Sequence, residues 1–477
     1  MTEGTGLTTA SLCDRIKELA RGNLAALLTG DVFLALVNMA ILFMVNRVYA
    51  RPGDTADAGR LAVVLSVMLA AVLLTTSGVA RAVTLRISRA RADGGPEQAD
   101  RIARDIGGGI ALGVLIGLAL MALGLVVPGI VVAVARAVRP EWADRIAVHA
   151  DALQLGALWL PSYSMVLVMT AVFDGFQRMR WSMLAEEGTF QALRLGTAVL
   201  VILVAGWPWT ALVGSWAAAY AVAACIIGLE LWIFLRRERQ AVAWRGLPLR
   251  GITRDAAFMF LPTAAPMLFS QAGVLVAWGA GGDTASATFW VAWSLSLAVS
   301  AFCGSVGRVL FPAIARLSRS PDRREMSRVL RRALWGTSAV AFAFILAVHA
   351  VKGWLLGYLH QEGAEAVLTA LLFTGFLEAI RMVFNPVLLA SGMEKALTVL
   401  EWLGLVAVLV GGFAAAGAWG VAGLAGVFVA VYVASAAIRF IMVARATGVR
   451  LWVDAAVATA AVLAVTVVML TFEVRAV

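Results

Sequence analysis

Apolar residues come in long runs along this chain, one after another, with short polar breaks between them. A hydrocarbon core about 30 Å thick needs roughly 20 residues of helix, so each run predicts one membrane crossing. Twelve core spans follow, at 24–46, 60–80, 106–134, 150–173, 183–206, 209–235, 256–279, 284–315, 333–358, 365–391, 396–416 and 419–444. A thirteenth is predicted at 452–472. No break is long enough to fold as a separate soluble domain. Ahead of the first span, Ser11 to Arg21 sets Leu12, Ile16 and Leu19 on one face, which predicts a short amphipathic helix on the membrane surface. The polar stretch from Met1 to Asn23 predicts no cleavable signal peptide.

The pattern repeats once. Gly53-Asp54-Thr55-Ala56 stands between spans 1 and 2, and Gly282-Asp283-Thr284-Ala285 between spans 7 and 8. Ser77-Gly78-Val79-Ala80-Arg81 finds a counterpart in Gly304-Ser305-Val306-Gly307-Arg308. Gly175 matches Gly392, Glu187 matches Glu401, and Tyr220 matches Tyr432. The matches keep their order while the offset drifts from 229 to 212 residues. Six spans per repeat is an even number, so both halves share one orientation and the symmetry axis runs along the membrane normal. The expected fold is an all-α polytopic membrane protein of two pseudo-symmetric six-helix bundles plus one C-terminal helix. Its expected parts are a cytoplasmic amphipathic N-terminus (1–23), a first bundle (24–235), a basic linker (236–255), a second bundle (256–446) and the additional helix (447–477).

Composition agrees: 61% of residues are hydrophobic and 14% charged, outside the range of soluble domains. The net charge of +10 does not point to nucleic acid, because the charge sits in the breaks between spans. Assigned to alternate sides, 27 Lys and Arg fall on the side of the N-terminus and 8 on the other. Loops rich in Lys and Arg stay in the cytoplasm, which places the N-terminus there. Only Lys17, Lys352 and Lys395 are lysines, a bias without a physical account. Cys13, Cys225 and Cys303 are scattered, and His149, His349 and His360 lack ligand spacing, so neither metal nor cofactor is expected.

Ionisable residues inside spans are costly and usually face a cavity or a partner. Span 1 carries Asp31 and Asn38, span 5 Glu186, Glu187 and Arg194, span 6 Glu230, span 8 Arg308, span 10 Glu378 and Arg381, span 11 Glu401, and span 12 Arg439. One reading is a cationic lumen, with Arg81, Arg194, Arg308 and Arg381 offering forked hydrogen bonds to phosphate oxygens. The other has Arg81, Arg308 and Arg439 snorkelling to the interface, and Glu378 with Arg381 forming a pair within one helix. Asp31 is a cation or proton site, or a partner for a nearby arginine. Trp207, Trp209, Trp354, Trp419 and Trp452 fall near span ends, where aromatic belts form. Pro128, Pro161, Pro262, Pro266 and Pro386 fall within spans, and Pro262 with Pro266 is the candidate hinge.

Several stretches resemble the multidrug/oligosaccharidyl-lipid/polysaccharide (MOP) flippase superfamily, and within it the polysaccharide-transporter branch that includes O-antigen flippases. They are Val309-Leu310-Phe311-Pro312-Ala313-Ile314-Ala315-Arg316-Leu317, Leu355-Leu356-Gly357-Tyr358, Leu388-Leu389-Ala390-Ser391-Gly392-Met393-Glu394-Lys395, and the small-residue run from Gly417 to Gly426. The resemblance implies a V-shaped pair of bundles working by alternating access. The implied cargo is an undecaprenyl-diphosphate-linked oligosaccharide, moved from the cytoplasmic to the periplasmic leaflet for surface polysaccharide synthesis. The implied partners are this lipid-linked substrate, membrane lipids, and a polysaccharide polymerase and glycosyltransferases; no nucleic acid is involved. A cation- or proton-coupled multidrug antiporter of the same superfamily is the alternative, and a membrane-embedded glycan transferase a further one. No phosphate-binding loop G-x-x-x-x-G-K-[ST] occurs, so the chain alone is not an ATP-driven pump, and it is read as a transporter rather than an enzyme.

The charge asymmetry yields a topology to test. Reporter fusions at Gly246 and Pro321 are expected to report cytoplasm, and one at Glu362 periplasm. A periplasmic signal at Gly246 would invert the orientation.

Overall fold

The computed structural model describes residues 32–52, 54–93, 97–317, 323–448 and six positions between 459 and 466. Among these, helices α1 (Val32–Tyr49), α2 (Ala56–Asp93), α3 (Gln98–Val138), α4 (Pro140–Ala157) and α5 (Leu160–Gly175) come first. Next are α6 (Met179–Met183), α7 (Gln191–Val199) and α8 (Trp209–Arg237). The rest are α9 (Leu249–Leu317), α10 (Arg323–Tyr358), α11 (Glu365–Ala390) and α12 (Glu394–Thr447). Nine of the described helical stretches are long and apolar enough to cross a membrane, and α4 with α5, bent by 49°, makes a tenth. At 1.5 Å per residue the 69 residues of α9 would reach about 100 Å if straight, three times the hydrocarbon thickness. The chain instead turns back at Gly282, whose φ of 77° suits a residue without Cβ. α12 does the same at Trp419–Gly420, with Gly420 at φ 62°. Counting these two helices twice gives twelve crossings, in the order that the hydrophobic runs predict.

The helices outrun several predicted spans. α2 and α3 are 38 and 41 residues long, because their arginine-bearing ends continue as helix past the apolar stretch that hydropathy detects. Pro161 lies in the first turn of α5, at the bend from α4, where its missing N–H removes no helical bond. Through Pro262 and Pro266 the backbone of α9 keeps helical dihedrals, and its departure comes at Gly282. Trp207 and Trp354 are exposed as a belt requires, but Trp209 is buried against the first bundle's core. The amphipathic helix predicted at 11–21 and most of the predicted span 452–472 lie outside the described residues.

Each bundle has its own aromatic core. Trp159, Trp216, Phe173 and Phe234 fill the first, and Phe289, Phe373, Phe376 and Phe428 the second. The two cores exchange side chains along one seam: Leu42, Ala62 and Val63 pack into the second, while Ile252, Ala256 and Ala287 pack into the first. The repeat is visible in three dimensions. Tyr220 packs edge-on to Trp159 at 4.8 Å, and its counterpart Tyr432 packs edge-on to Phe269 at 5.3 Å.

Inside the second bundle lies a closed set of charges. Arg381 Nη2 donates to Glu378 Oε1 one turn away, and its Nη1 to Glu401 at 2.9 Å. Arg439 donates to Glu401 and Ser435, and to Asn385 Oδ1 at 3.1 Å. Glu378 with Arg381 is therefore an intrahelical pair, and Arg439, 2% exposed, is buried rather than snorkelling. Two carboxylates and two guanidiniums tie α11 to both halves of α12, and removing one leaves a buried charge uncompensated. Arg439→Ala is expected to cost on the order of 3–5 kcal/mol, read as a lower unfolding temperature in detergent. An unchanged transition would show that the network holds nothing together.

Candidate functional site

A cavity of about 410 Å³ lies at mid-membrane between the bundles. It is walled by α1, α2, α5 and α7 from the first bundle and by both halves of α9 from the second. One wall element is unusual. α7 is flanked by two π-helical segments, Leu184–Phe190 and Leu200–Val204. Such segments shift the phase of a helix and are frequent at functional sites. Between them stands Arg194, the one charged side chain among the cavity's described lining residues.

Arg194 is held from three sides. Its Nη1 donates to Asn38 Oδ1 at 3.0 Å and to Gln191 Oε1 at 3.4 Å. Its guanidinium carbon sits 5.0 Å from the ring centroid of buried Trp216. A guanidinium has five N–H donors, and the Nε of Arg194 has no hydrogen-bond partner among the described residues. Donor capacity therefore remains for an anion. Around it the lining is neutral and amphipathic: Ser66, Ser270, Gln271 and Ser294 alternate with Tyr163, Trp290 and Trp293. Tyr163 packs in a cluster of three rings with Phe190 at 5.2 Å and Tyr220 at 5.6 Å, which holds its position.

The cavity is closed at its arginine-poor end by contacts between the bundles. Arg60 Nε on α2 donates to Asp283 Oδ2 at 3.0 Å, and His149 Nε2 on α4 lies 3.2 Å from Asp283 Oδ1. Trp278 Nε1 donates to the same oxygen at 3.0 Å. Nearby, Gln361 receives a hydrogen bond from Thr288 at 3.0 Å and donates to Asn46 at 3.4 Å. Gly59 permits the approach: a Cβ there would stand 1.8 Å from the carbonyl oxygen of Asp283.

Of the residues singled out from sequence, Arg194 and Asn38 meet in this cavity. Arg381 is engaged in the second bundle's charge network instead. Arg81 is exposed on α2 and is not among the cavity's lining residues. Asp31 and the side chain of Arg308 lie outside what is described. The gate residues Arg60, His149 and Asp283 were not anticipated. Their one signal was the repeat, which marked Gly282-Asp283 as a counterpart of Gly53-Asp54 without showing that Asp283 reaches across the seam. Ser66, Ser270 and Gln271 carried no signal, since lone polar residues in spans are common.

Two six-crossing bundles around a mid-membrane cavity form the architecture of a membrane transporter. The chain belongs to the polysaccharide biosynthesis protein family, whose model matches residues 27–318. Among solved structures, an inward-facing multidrug resistance MATE family transporter of the MOP superfamily aligns with TM-score 0.64 at 15% identity, covering 87% of this chain and 98% of that one. An outward-facing MATE transporter aligns with TM-score 0.65 at 14% identity, covering 89% and 95%. A MOP transporter from Pyrococcus furiosus Vc1 (DSM3638), described as having a binding pocket of reverse polarity, aligns with TM-score 0.62 at 16% identity, covering 89% and 95%. At such identities these likenesses show the fold. No curated protein matches the chain in sequence.

The gate generates a prediction. Gly59→Val forces α2 away from Asp283, so the arginine-poor end should open. In a background without the native cysteines, Ser66→Cys should then react faster with an impermeant thiol reagent added from that side. Equal rates with and without the Gly59→Val substitution would show that these contacts do not seal the cavity.

Proposed function

We propose that the chain flips a polyprenyl-diphosphate-linked oligosaccharide from the cytoplasmic to the periplasmic leaflet of a bacterial inner membrane, by alternating access. The observation that carries this reading is the cavity lining: one arginine with spare donors, set among serines, amides and aromatic rings. A diphosphate leaving water needs a cation and hydrogen bonds, which Arg194 and Asn38 supply. Sugars need neutral donors and acceptors beside apolar ring faces, which Ser66, Gln271, Tyr163 and Trp290 supply. With the Arg60–Asp283–His149 contacts closing the arginine-poor end, the conformation is read as one that receives substrate from the cytoplasm. Rocking of the bundles about the α2–α9 seam would break those contacts and release it outside. Family membership supports the polysaccharide pathway. Arg81, Arg308 and Asp31 are proposed to act in the approach to the cavity, and Pro262 with Pro266 as a hinge.

The multidrug reading is less favoured, because a cationic drug calls for a carboxylate and the described lining has neither Asp nor Glu. The test is export. Deletion should abolish a surface polysaccharide and leave lipid-linked units facing the cytoplasm. Arg194→Ala should leave protein abundance unchanged and weaken substrate binding by roughly ten- to a hundredfold, the equivalent of about 1.5–3 kcal/mol for a charged hydrogen bond. Arg194→Lys, which keeps charge but loses the fork, should be impaired less. An abundant Arg194→Ala protein that exports normally would sink the proposal, and new sensitivity to cationic drugs with intact glycan would favour the antiporter.

A further inference from the structure

We propose that a second, apolar chamber beside α2 binds one hydrocarbon chain of an anionic phospholipid from the arginine-rich leaflet. The chamber has a volume of about 570 Å³ and lies between α2, α3 and the first turns of α9. That size falls within the ~300–1,000 Å³ of ordinary ligand pockets. α2 turns opposite flanks to the two chambers: Leu69 and Leu73 face the central cavity, while Thr75 and Val79 face this one. The chambers also differ in chemistry. Here the walls are aliphatic, apart from Phe260 and two threonines. Both hydroxyls are spent inside their own helices, Thr75 on the Ala71 carbonyl at 2.8 Å and Thr253 on the Leu249 carbonyl at 2.9 Å. No free side-chain donor is left among these lining residues, so the chamber offers water few partners and a phosphate no recognition. The chamber opens outward, past exposed Leu123 on α3, whose neighbours Leu115 and Leu118 are exposed too. In a bilayer, such an opening meets acyl chains.

Charge selects the lipid. Followed toward the arginine-rich end, α2 passes exposed Arg81 and then Arg86, which is consumed by Asp105 at 2.7 Å and Asp255 at 2.9 Å and so ties α2, α3 and α9 together. Beyond it each lining helix carries an exposed arginine: Arg89 on α2, Arg101 on α3 and Arg250 on α9. Arg101 makes a loose pair with Asp93, at 3.6 Å. Arginines at a leaflet surface attract anionic headgroups. Because α2 and α3 belong to one bundle and Thr253 to Phe260 to the other, a bound chain bridges the seam and favours the arrangement seen here.

The test uses the full chain in nanodiscs, with phosphatidylglycerol or phosphatidylcholine carrying a diazirine at the end of one acyl chain, and labelled peptides mapped by mass spectrometry. The phosphatidylglycerol probe should label chamber residues about fivefold more than lipid-facing Val126, and the phosphatidylcholine probe should not. Ala119→Trp and Ala257→Trp fill the chamber from opposite walls, and each should abolish the enrichment while eluting as a monodisperse protein. The combined Arg89→Gln, Arg101→Gln and Arg250→Gln variant should lower phosphatidylglycerol labelling to the phosphatidylcholine level. Uniform labelling along α3, or equal enrichment of both probes in the unaltered protein, would overturn the proposal. So would competition by unlabelled polyprenyl diphosphate but not by unlabelled phosphatidylglycerol, since the chamber would then belong to the transported lipid.

Discussion

Hydrocarbon offers no hydrogen bonds, and most of this molecule follows from that. Every backbone N–H and C=O within the bilayer must find its partner inside the chain, which leaves helix as the only open-ended solution. The same solvent penalises each ionisable side chain that helices carry inward. In the second bundle the penalty is met by mutual compensation among Glu378, Arg381, Glu401 and Arg439. In the first bundle Arg194 is met by side-chain dipoles and an aromatic face, and its Nε keeps no hydrogen-bond partner among the described residues. The asymmetry between the halves of a repeated chain is thus chemical more than architectural.

The architecture itself depends on how closely α2 and α9 approach. Helices without a hydrophobic force between them associate through small residues that let backbones touch. Gly59 does so in the first turn of α2 and Gly78 near its middle, against the carbonyls of Asp283 and Ala256. One helix of the first bundle therefore leans on both halves of α9, one at each membrane face. The central cavity is enclosed on one flank of this pillar, and the apolar chamber opens on its other flank.

Periodicity made the twelve crossings and the two bundles legible, because length and apolarity are local properties of sequence. Matched pairs such as Tyr220 and Tyr432 exposed the repeat for the same reason. What lay beyond reach depended on contacts between distant segments. Arg194 and Arg381 look alike in sequence, each an arginine within a span. Spacing offers Arg381 an intrahelical partner in Glu378, but only packing shows Glu401 beside Arg381 and Asn38 beside Arg194. The phase shift from two π-helical segments around α7 is likewise invisible to a 3.6-residue template. Asp283 reads as a turn residue until three partners from two bundles converge on it.

The balanced network in the second bundle also bears on electrical work. Moving one elementary charge across a membrane potential costs about 2.3 kcal/mol per 100 mV. Two arginines and two glutamates that travel together carry no net charge, so the displacement of this network is indifferent to voltage however far it swings. The cell's potential can then act on transport only through the cargo, or through charges that lie outside this balanced set.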